Sequence, residues 1–386
     1  MIKLALTGIL FIISIINVQA AQWSLTGSLN PSFEYDDNIF MRDTNKVSDF
    51  HSQITPTLKT SYGLENVDIT LSTGYTVDRY DKSRYLNQEN PFYRLNSIYQ
   101  TERSSWGLDL SYIESSSRSE AVEDTGDFET NSTSSTKMVS PSFSYQLSER
   151  DSIFISGSYY ERKFSTIDFS DSESFIITTN WQHQFTERFN GGISISAGNT
   201  KFNEDKSNTD DDSYNISFTS MYNISEIWAI NGRIGLRQVN SEKTGTLGDI
   251  DKSSDVGSSL DFSVSYSHDV DTANFSIARS ISPSSTGEIN EHDTIDLSLS
   301  RQLSETLTAS ISSSYQETRS AFDNLSDNRK YFSVTPSLNW NFRHNTSLGL
   351  SYRYRNQKES FDGTNADSNT LMLTLNYNWD GLHVSR

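Results

Sequence analysis

Ser368-Asn369-Thr370-Leu371-Met372-Leu373-Thr374-Leu375-Asn376-Tyr377-Asn378-Trp379, close to the C-terminus, alternates strictly. Leu371, Leu373, Leu375, Tyr377 and Trp379 take one phase, and Thr370, Met372, Thr374, Asn376 and Asn378 take the other. A period of two puts the first set on one face of a strand and the second set on the other. A helix needs apolar residues three and four apart, which this stretch does not offer. It also ends on aromatics, as a lipid-facing strand does where it meets a membrane interface, so the stretch reads as the closing strand of a transmembrane β-barrel.

Composition agrees. The 386 residues have a hydrophobic fraction of 34% and a mean hydropathy of -0.58, too little to fill the core of a soluble α/β enzyme of this length. Yet 19 Tyr and 21 Phe argue against disorder. A barrel reconciles the two, because half of every strand faces water in the lumen and needs no apolar side chain. With no Cys there is neither a disulfide nor a thiolate metal site, and a net charge of -19 makes nucleic acid an unsuitable partner. Lys3, the run Leu4 to Val18 and the small-residue end Val18-Gln19-Ala20 read as a secretory signal peptide over residues 1–20, cut before Ala21. Residues 21–386 then form a single outer-membrane barrel domain.

The closing-strand pattern recurs along the whole chain. Examples of the outward phase are Trp23, Leu25, Leu29, Phe33 and Tyr35; Trp106, Leu108, Leu110 and Tyr112; and Phe275, Ile277 and Ile281. The count is about eighteen strands, an even number as bacterial barrels have. Connections alternate in length. Short ones fall at Leu64-Glu65-Asn66, Glu102-Arg103-Ser104, Ser148-Glu149-Arg150, Thr186-Glu187-Arg188, Ser225-Glu226-Ile227, Ser304-Glu305-Thr306 and Arg343-His344-Asn345. Longer polar segments run Ser117 to Ser135, Phe202 to Asp212, Asn240 to Ser254 and Ser360 to Asp367. The expected fold is therefore an all-β, antiparallel, up-and-down transmembrane barrel with short turns and both termini in the periplasm. Trp23, Trp106, Trp181, Trp228, Trp340 and Trp379 all fall in the outward phase near periplasmic strand ends and read as one aromatic girdle. Tyr35, Tyr112, Tyr159, Tyr315 and Tyr354 lie towards the other rim.

Function has to be read from the inward phase, which is mostly small and neutral, as in Ser24, Thr26 and Ser28; Ser140, Ser142 and Ser144; Ser310, Ser312 and Ser314; and Ser333, Thr335 and Ser337. Eighteen strands about 4.8 Å apart and tilted about 40° close at roughly 35 Å between backbones. Short hydroxyls cannot fill that width, so the lumen is expected to hold water and to suit uncharged hydrophilic solutes. Only a loop could narrow it, Ser117 to Ser135 being the longest candidate. Charges at inward positions are Arg94, Arg162, Arg233, Arg237, Arg353 and Arg355, with Asp68, Asp78, Asp109, Asp261 and Asp296. They read either as a constriction that orients solutes or as ion pairs between neighbouring strands, and the mixture of signs favours pairs.

No catalytic residues are assigned. His51, His183, His268, His292, His344 and His383 lie mostly near turns or loops, and no local motif joins one to a Ser with an orienting third group. No cofactor or metal is expected. Asp36-Asp37-Asn38 and Asp210-Asp211-Asp212 lack the ligand spacing of a calcium loop and read as solvated loop residues.

Tyr35-Asp36-Asp37-Asn38-Ile39-Phe40, the recurring Ser/Thr-Glu turns, and Arg279-Ser280-Ile281-Ser282-Pro283-Ser284-Ser285-Thr286-Gly287 resemble the outer-membrane β-barrel porins encoded with exopolysaccharide and exosortase gene clusters. That resemblance implies a channel serving export or surface assembly of a polysaccharide. Its partners would be outer-membrane lipid and lipopolysaccharide, the barrel insertion machinery, the polysaccharide itself and periplasmic export components. One departure is that the chain runs past Trp379 to Arg386 instead of ending on an aromatic; Leu382 and Val384 are expected to extend the strand beyond a bulge at Asp380-Gly381. The alternative to a channel is a structural or adhesive barrel, closed, acting through its acidic outer loops.

Overall fold

The computed structural model describes residues 22–385 apart from 123, 204–206, 246–248, 323–327 and 361–362, so the signal-peptide reading of residues 1–20 lies outside the described residues. The first nine strands are β1 (Gln22–Asp36), β2 (Asp49–Leu64), β3 (Val67–Tyr80), β4 (Gln88–Gln100), β5 (Ser104–Ser116), β6 (Thr133–Gln146), β7 (Asp151–Phe164), β8 (Asp171–Gln184) and β9 (Phe189–Asn203). The other nine are β10 (Ser207–Asn223), β11 (Trp228–Gly245), β12 (Ile250–His268), β13 (Asp271–Pro283), β14 (Ile289–Gln302), β15 (Leu307–Ser320), β16 (Arg329–Arg343), β17 (Thr346–Glu359) and β18 (Asn365–Ser385). Each strand pairs antiparallel with its sequence neighbours, and β1 pairs with both β2 and β18, which closes the 18-stranded sheet. Closure leaves no strand edge open, as a wall in lipid requires.

The outward phase read from the sequence is the exposed one. Leu29, Phe33, Leu58, Leu71, Ile193, Ile216, Leu297 and Leu373 are all exposed, and few large apolar residues of the other phase, such as Phe154, Ile176 and Met221, match them. One end of the barrel carries the short turns and the ends of β1 and β18, and here a hairpin at Asp269–Val270, not anticipated, joins β12 to β13. The six Trp lie at this end and are 38–53% exposed.

The closing seam carries the bulge expected at Asp380-Gly381. Leu25 pairs with Leu382 and Gly27 with Trp379, a register shift that leaves Gly381 at φ 79°. A Cβ on Gly381 would lie 1.8 Å from the Leu25 carbonyl oxygen, so no side chain fits unless the seam moves. Gly381→Ala is expected to cost about 1–3 kcal/mol or more, seen as a lower urea midpoint for loss of the heat-modifiable folded band. An unchanged midpoint would show that the seam can relax.

Two segments expected as loops are strand. β9 and β10 pair out to Asn203 and Asn208, and β11 and β12 out to Thr244 and Ile250. Apart from Phe202 and Ile250 these extensions are polar on both faces and so carry no alternation, but backbone pairing needs none. Asp211, expected in solvated loop, is consequently a strand residue buried on the inward side.

A second departure lies between β12 and β13, whose pairing stops at Leu260 and Arg279. Beyond that level Arg237, inward on β11, bonds Glu291, which is in the outward phase of β14. The ends of β13 and β14 therefore tuck inside the β11–β12 wall. Ile281, expected to face lipid, packs instead against a buried cluster of Phe202, Val239 and Ile289. Arg279 and Arg319 chelate Asp293 between them (2.6 and 3.1 Å), completing an ion-pair network at the fold line.

Candidate functional site

Among the described residues the barrel has no continuous apolar core; besides the cluster just described, two further buried apolar clusters gather under the mouth formed by the long connections. The segment between β5 and β6 dominates this region. It opens with a single helical turn, α1 (Ser117–Glu120), capped by Ser116 Oγ, which accepts from the Arg118 amide at 3.3 Å. The chain then crosses the lumen. β5 and β14 stand nine strands apart on an 18-strand ring, yet Asp124 reaches the β13–β14 connection, where it accepts from Ser284 Oγ (2.6 Å) and the Ser285 amide (2.9 Å). Arg162 Nη1 on β7 donates to the same carboxylate at 3.0 Å.

Further ties hold the backbone of this loop. The Val122 carbonyl accepts from Arg329 Nη2 (2.7 Å) and Gln316 Nε2 (3.3 Å), and the Gly126 carbonyl from Gln357 Nε2 (3.1 Å). Arg118 donates to the carbonyls of Phe128 (2.6 Å) and Ile39 (2.7 Å), with its guanidinium between the rings of Phe40 and Tyr80. Ala121 and Phe128 bury themselves with Met41 and Ala366. Burial of such side chains, at about 1.5–3 kcal/mol for a large one, adds to the polar ties. The segment singled out from its length is thus folded inward, with its strand partner β6 beginning at Thr133.

Gln316 of β15 and Arg329 of β16 touch the loop from one face of the wall, and Ser310, Ser312 and Ser314, and Ser333, Thr335 and Ser337, fall in the same phases. Cross-strand hydroxyl pairs such as Ser61 with Thr70 (3.2 Å) and Ser300 with Ser310 (3.1 Å) recur there.

The charges picked out from sequence are dispersed around the wall, and most have partners. Arg162 holds Asp124, Arg237 bonds Glu291 and Asp255, Arg353 Nη2 donates to Glu34 at 3.2 Å, and Arg355 bonds Asp36 and Ser368. Asp109 accepts from Asn96 at 2.6 Å, and Asp78 from Gln53 at 2.9 Å. Arg233 stands opposite Asp261 in the register, Arg94 lies over the Phe92 ring, and Asp296 sits between Ser276 and Ser314. Asp68 flanks Gly63. Asp36, grouped above with solvated acids, is a buried partner of Arg355, while Asp37 accepts from the Asn369 amide at 2.7 Å.

Sequence reading missed Arg118, Asp124, Arg329 and Gln357, whose partners lie tens to hundreds of residues away and leave no local signature. It also missed that Ser282 Oγ and His292 Nε2 come within 2.9 Å. The groups on His292 Nδ1 are Thr318 Oγ1 and Gln316 Nε2. Neither is the carboxylate that would orient an imidazole as a base, and the ring is buried against the wall.

A cavity of about 510 Å³ opens at the mouth, bounded by Phe40–Asn45, Thr125–Glu129, Gln357, Glu359 and Thr364. The inward loop is one of its walls. Arg42 Nε donates to Glu129 at 2.5 Å across it, and that bond raises the Arg42 pKa further above its ordinary value.

No protein-family model matches this chain, and no curated protein matches it. Among solved structures it is similar to the ferric citrate transporter FecA in its unliganded form, with a TM-score of 0.54 and 13% identity over 87% of this chain. The chain spans 60% of FecA's length. Pseudomonas aeruginosa OpdK with vanillate gives a TM-score of 0.48 at 10% identity, and Acinetobacter baumannii OccAB4 gives 0.48 at 12%; these alignments cover 92% and 94% of this chain and 99% of each of theirs. The likeness to FecA is one of fold, the closed antiparallel barrel.

Proposed function

We propose that this protein is an outer-membrane channel for hydrophilic solutes whose passage is narrowed by the loop 117–132. The observation that carries this reading is the loop itself, tied to β7, β15, β16, β17 and the β13–β14 connection across the lumen. A barrel serving only as a structural wall needs no such device. The exposed apolar outer face supports membrane residence. The Trp-bearing end with short turns is assigned to the periplasm, with both termini there, and the six Trp act as its interfacial girdle. Small hydroxyl and amide groups of the inner face suit uncharged sugars, and export of an exopolysaccharide is the specific transport task the sequence resemblance suggests. Arg94, Arg162, Arg233, Arg237, Arg353, Arg355, Asp109, Asp261 and Asp296 serve mainly as wall ion pairs and hydrogen bonds in this reading.

The density of ties on the loop also favours a second reading, a barrel that rests closed and acts through its outer loops. Liposomes carrying the refolded barrel separate the two. Swelling in uncharged sugars up to a definite size is expected for the channel. No swelling from a barrel shown to be folded would sink an open conduit and leave the closed barrel.

A further inference from the structure

We infer that the mouth cavity beside the inward loop is a binding site for a cationic, hydroxyl-bearing solute, such as a protonated amino sugar. The inference rests on the channel reading only for its role in passage; binding itself stands apart from it.

Charge is the first ground. Asp43, Asp127, Glu129 and Glu359 line the cavity against the single guanidinium of Arg42, which is already committed to Glu129. Arg329, behind the Gly126 floor, still leaves the acids in excess. A concave acidic surface concentrates cations and holds them longer than a flat one.

The second ground is an unmatched buried acceptor. Gln357 lines the cavity, is 5% exposed, and spends its amide nitrogen on the Gly126 carbonyl and on Glu359 Oε1 (2.7 Å). Its Oε1 has no hydrogen-bond partner. A buried acceptor left alone is costly, and what it lacks is a donor. Carboxylates and an orphan carbonyl together make an acceptor-rich site, which ammonium and hydroxyl donors complement and an anion does not.

The backbone adds a third. Met41 and Asn45 hold φ of 52°, and Gly126 holds 77°, so three positions around one cavity adopt the left-handed conformation. For Met41 this costs energy that the local fold has to sustain, as is common around ligand sites. Because Thr125–Glu129 forms one wall, occupancy bears directly on the segment that crosses the lumen.

The test is calorimetric titration of the refolded full-length barrel with glucosamine at about pH 6, where a primary amine is protonated, and with glucose as the neutral control. Glucosamine is expected to bind at least about tenfold more tightly than glucose. The double variant Asp43→Asn/Glu359→Gln, and separately Thr364→Lys, which adds a cation at the rim, are each expected to abolish that preference. Equal affinity for both sugars, no binding of glucosamine, or a preference that survives both variants would overturn the inference. Glucosamine binding by a barrel that fails to swell liposomes would sink the channel reading and leave this one standing. Swelling without charge-dependent binding would do the reverse.

Discussion

Replacing residues 118–131 by a short Gly-Ser linker is expected to raise single-channel conductance on the order of tenfold in planar bilayers. An 18-strand wall leaves a wide lumen once side chains are allowed for, and current through it scales with the narrowest cross-section. In the channel reading the described loop narrows that cross-section with its own backbone and with Arg118, Asp124 and Phe128, which it ties across the barrel. β5 and β6 remain joined and paired out to Ser116 and Thr133 after the excision, so the barrel should keep its heat-modifiable form. An unchanged conductance would mean that the connections 37–48 and 81–87, packed through Ile39, Phe40 and Leu86, close the mouth unaided.

The second large effect concerns Asp124. Its carboxylate is the point where the loop meets the far wall, accepting from Arg162, Ser284 and the Ser285 amide. Asp124→Ala removes all three bonds, at a place where the Asp124 and Arg162 side chains are only 9% and 16% exposed. Breaking a fully buried pair costs about 3–5 kcal/mol; discounted for residual exposure, a cost of about 2–3 kcal/mol on loop docking is expected. That raises the undocked population about thirty- to a hundred-and-sixtyfold. The change should appear as longer open times in bilayers and as faster amide exchange confined to the loop. Asp124→Asn, which keeps an oxygen for the Ser285 amide, should fall between the two. Equal exchange in wild type and Asp124→Ala would show that Val122, Gly126 and the Met41–Phe128 contact hold the loop without this latch.

Much of the architecture was legible before any coordinates. Alternation along 371–379 and its repeats follows from the pleat itself, so the closed antiparallel barrel and its strand number could be read from it, though not the inward turn that buries Ile281. The bulge at Gly381 was visible because a glycine interrupted an otherwise continuous pattern. Where both faces are polar, as around Asp210 to Asp212 and Asn240 to Ser254, the same reasoning ended the strands too early, since hydrogen bonding between backbones leaves no mark on composition.

The candidate site was legible only as a possibility of length. A polar, acidic run of the kind found at 117–132 looks alike whether it waves in solvent or folds inward, because its partners are set by closure of the ring. Arg329 lies 207 positions from Val122 and Gln357 lies 231 from Gly126. What the chain by itself determined is the period-two pattern, and with it a closed wall with an apolar outside. What only the tertiary structure decided is how the connections fill the mouth, because those contacts join residues from opposite sides of the barrel and exist only once the wall has closed.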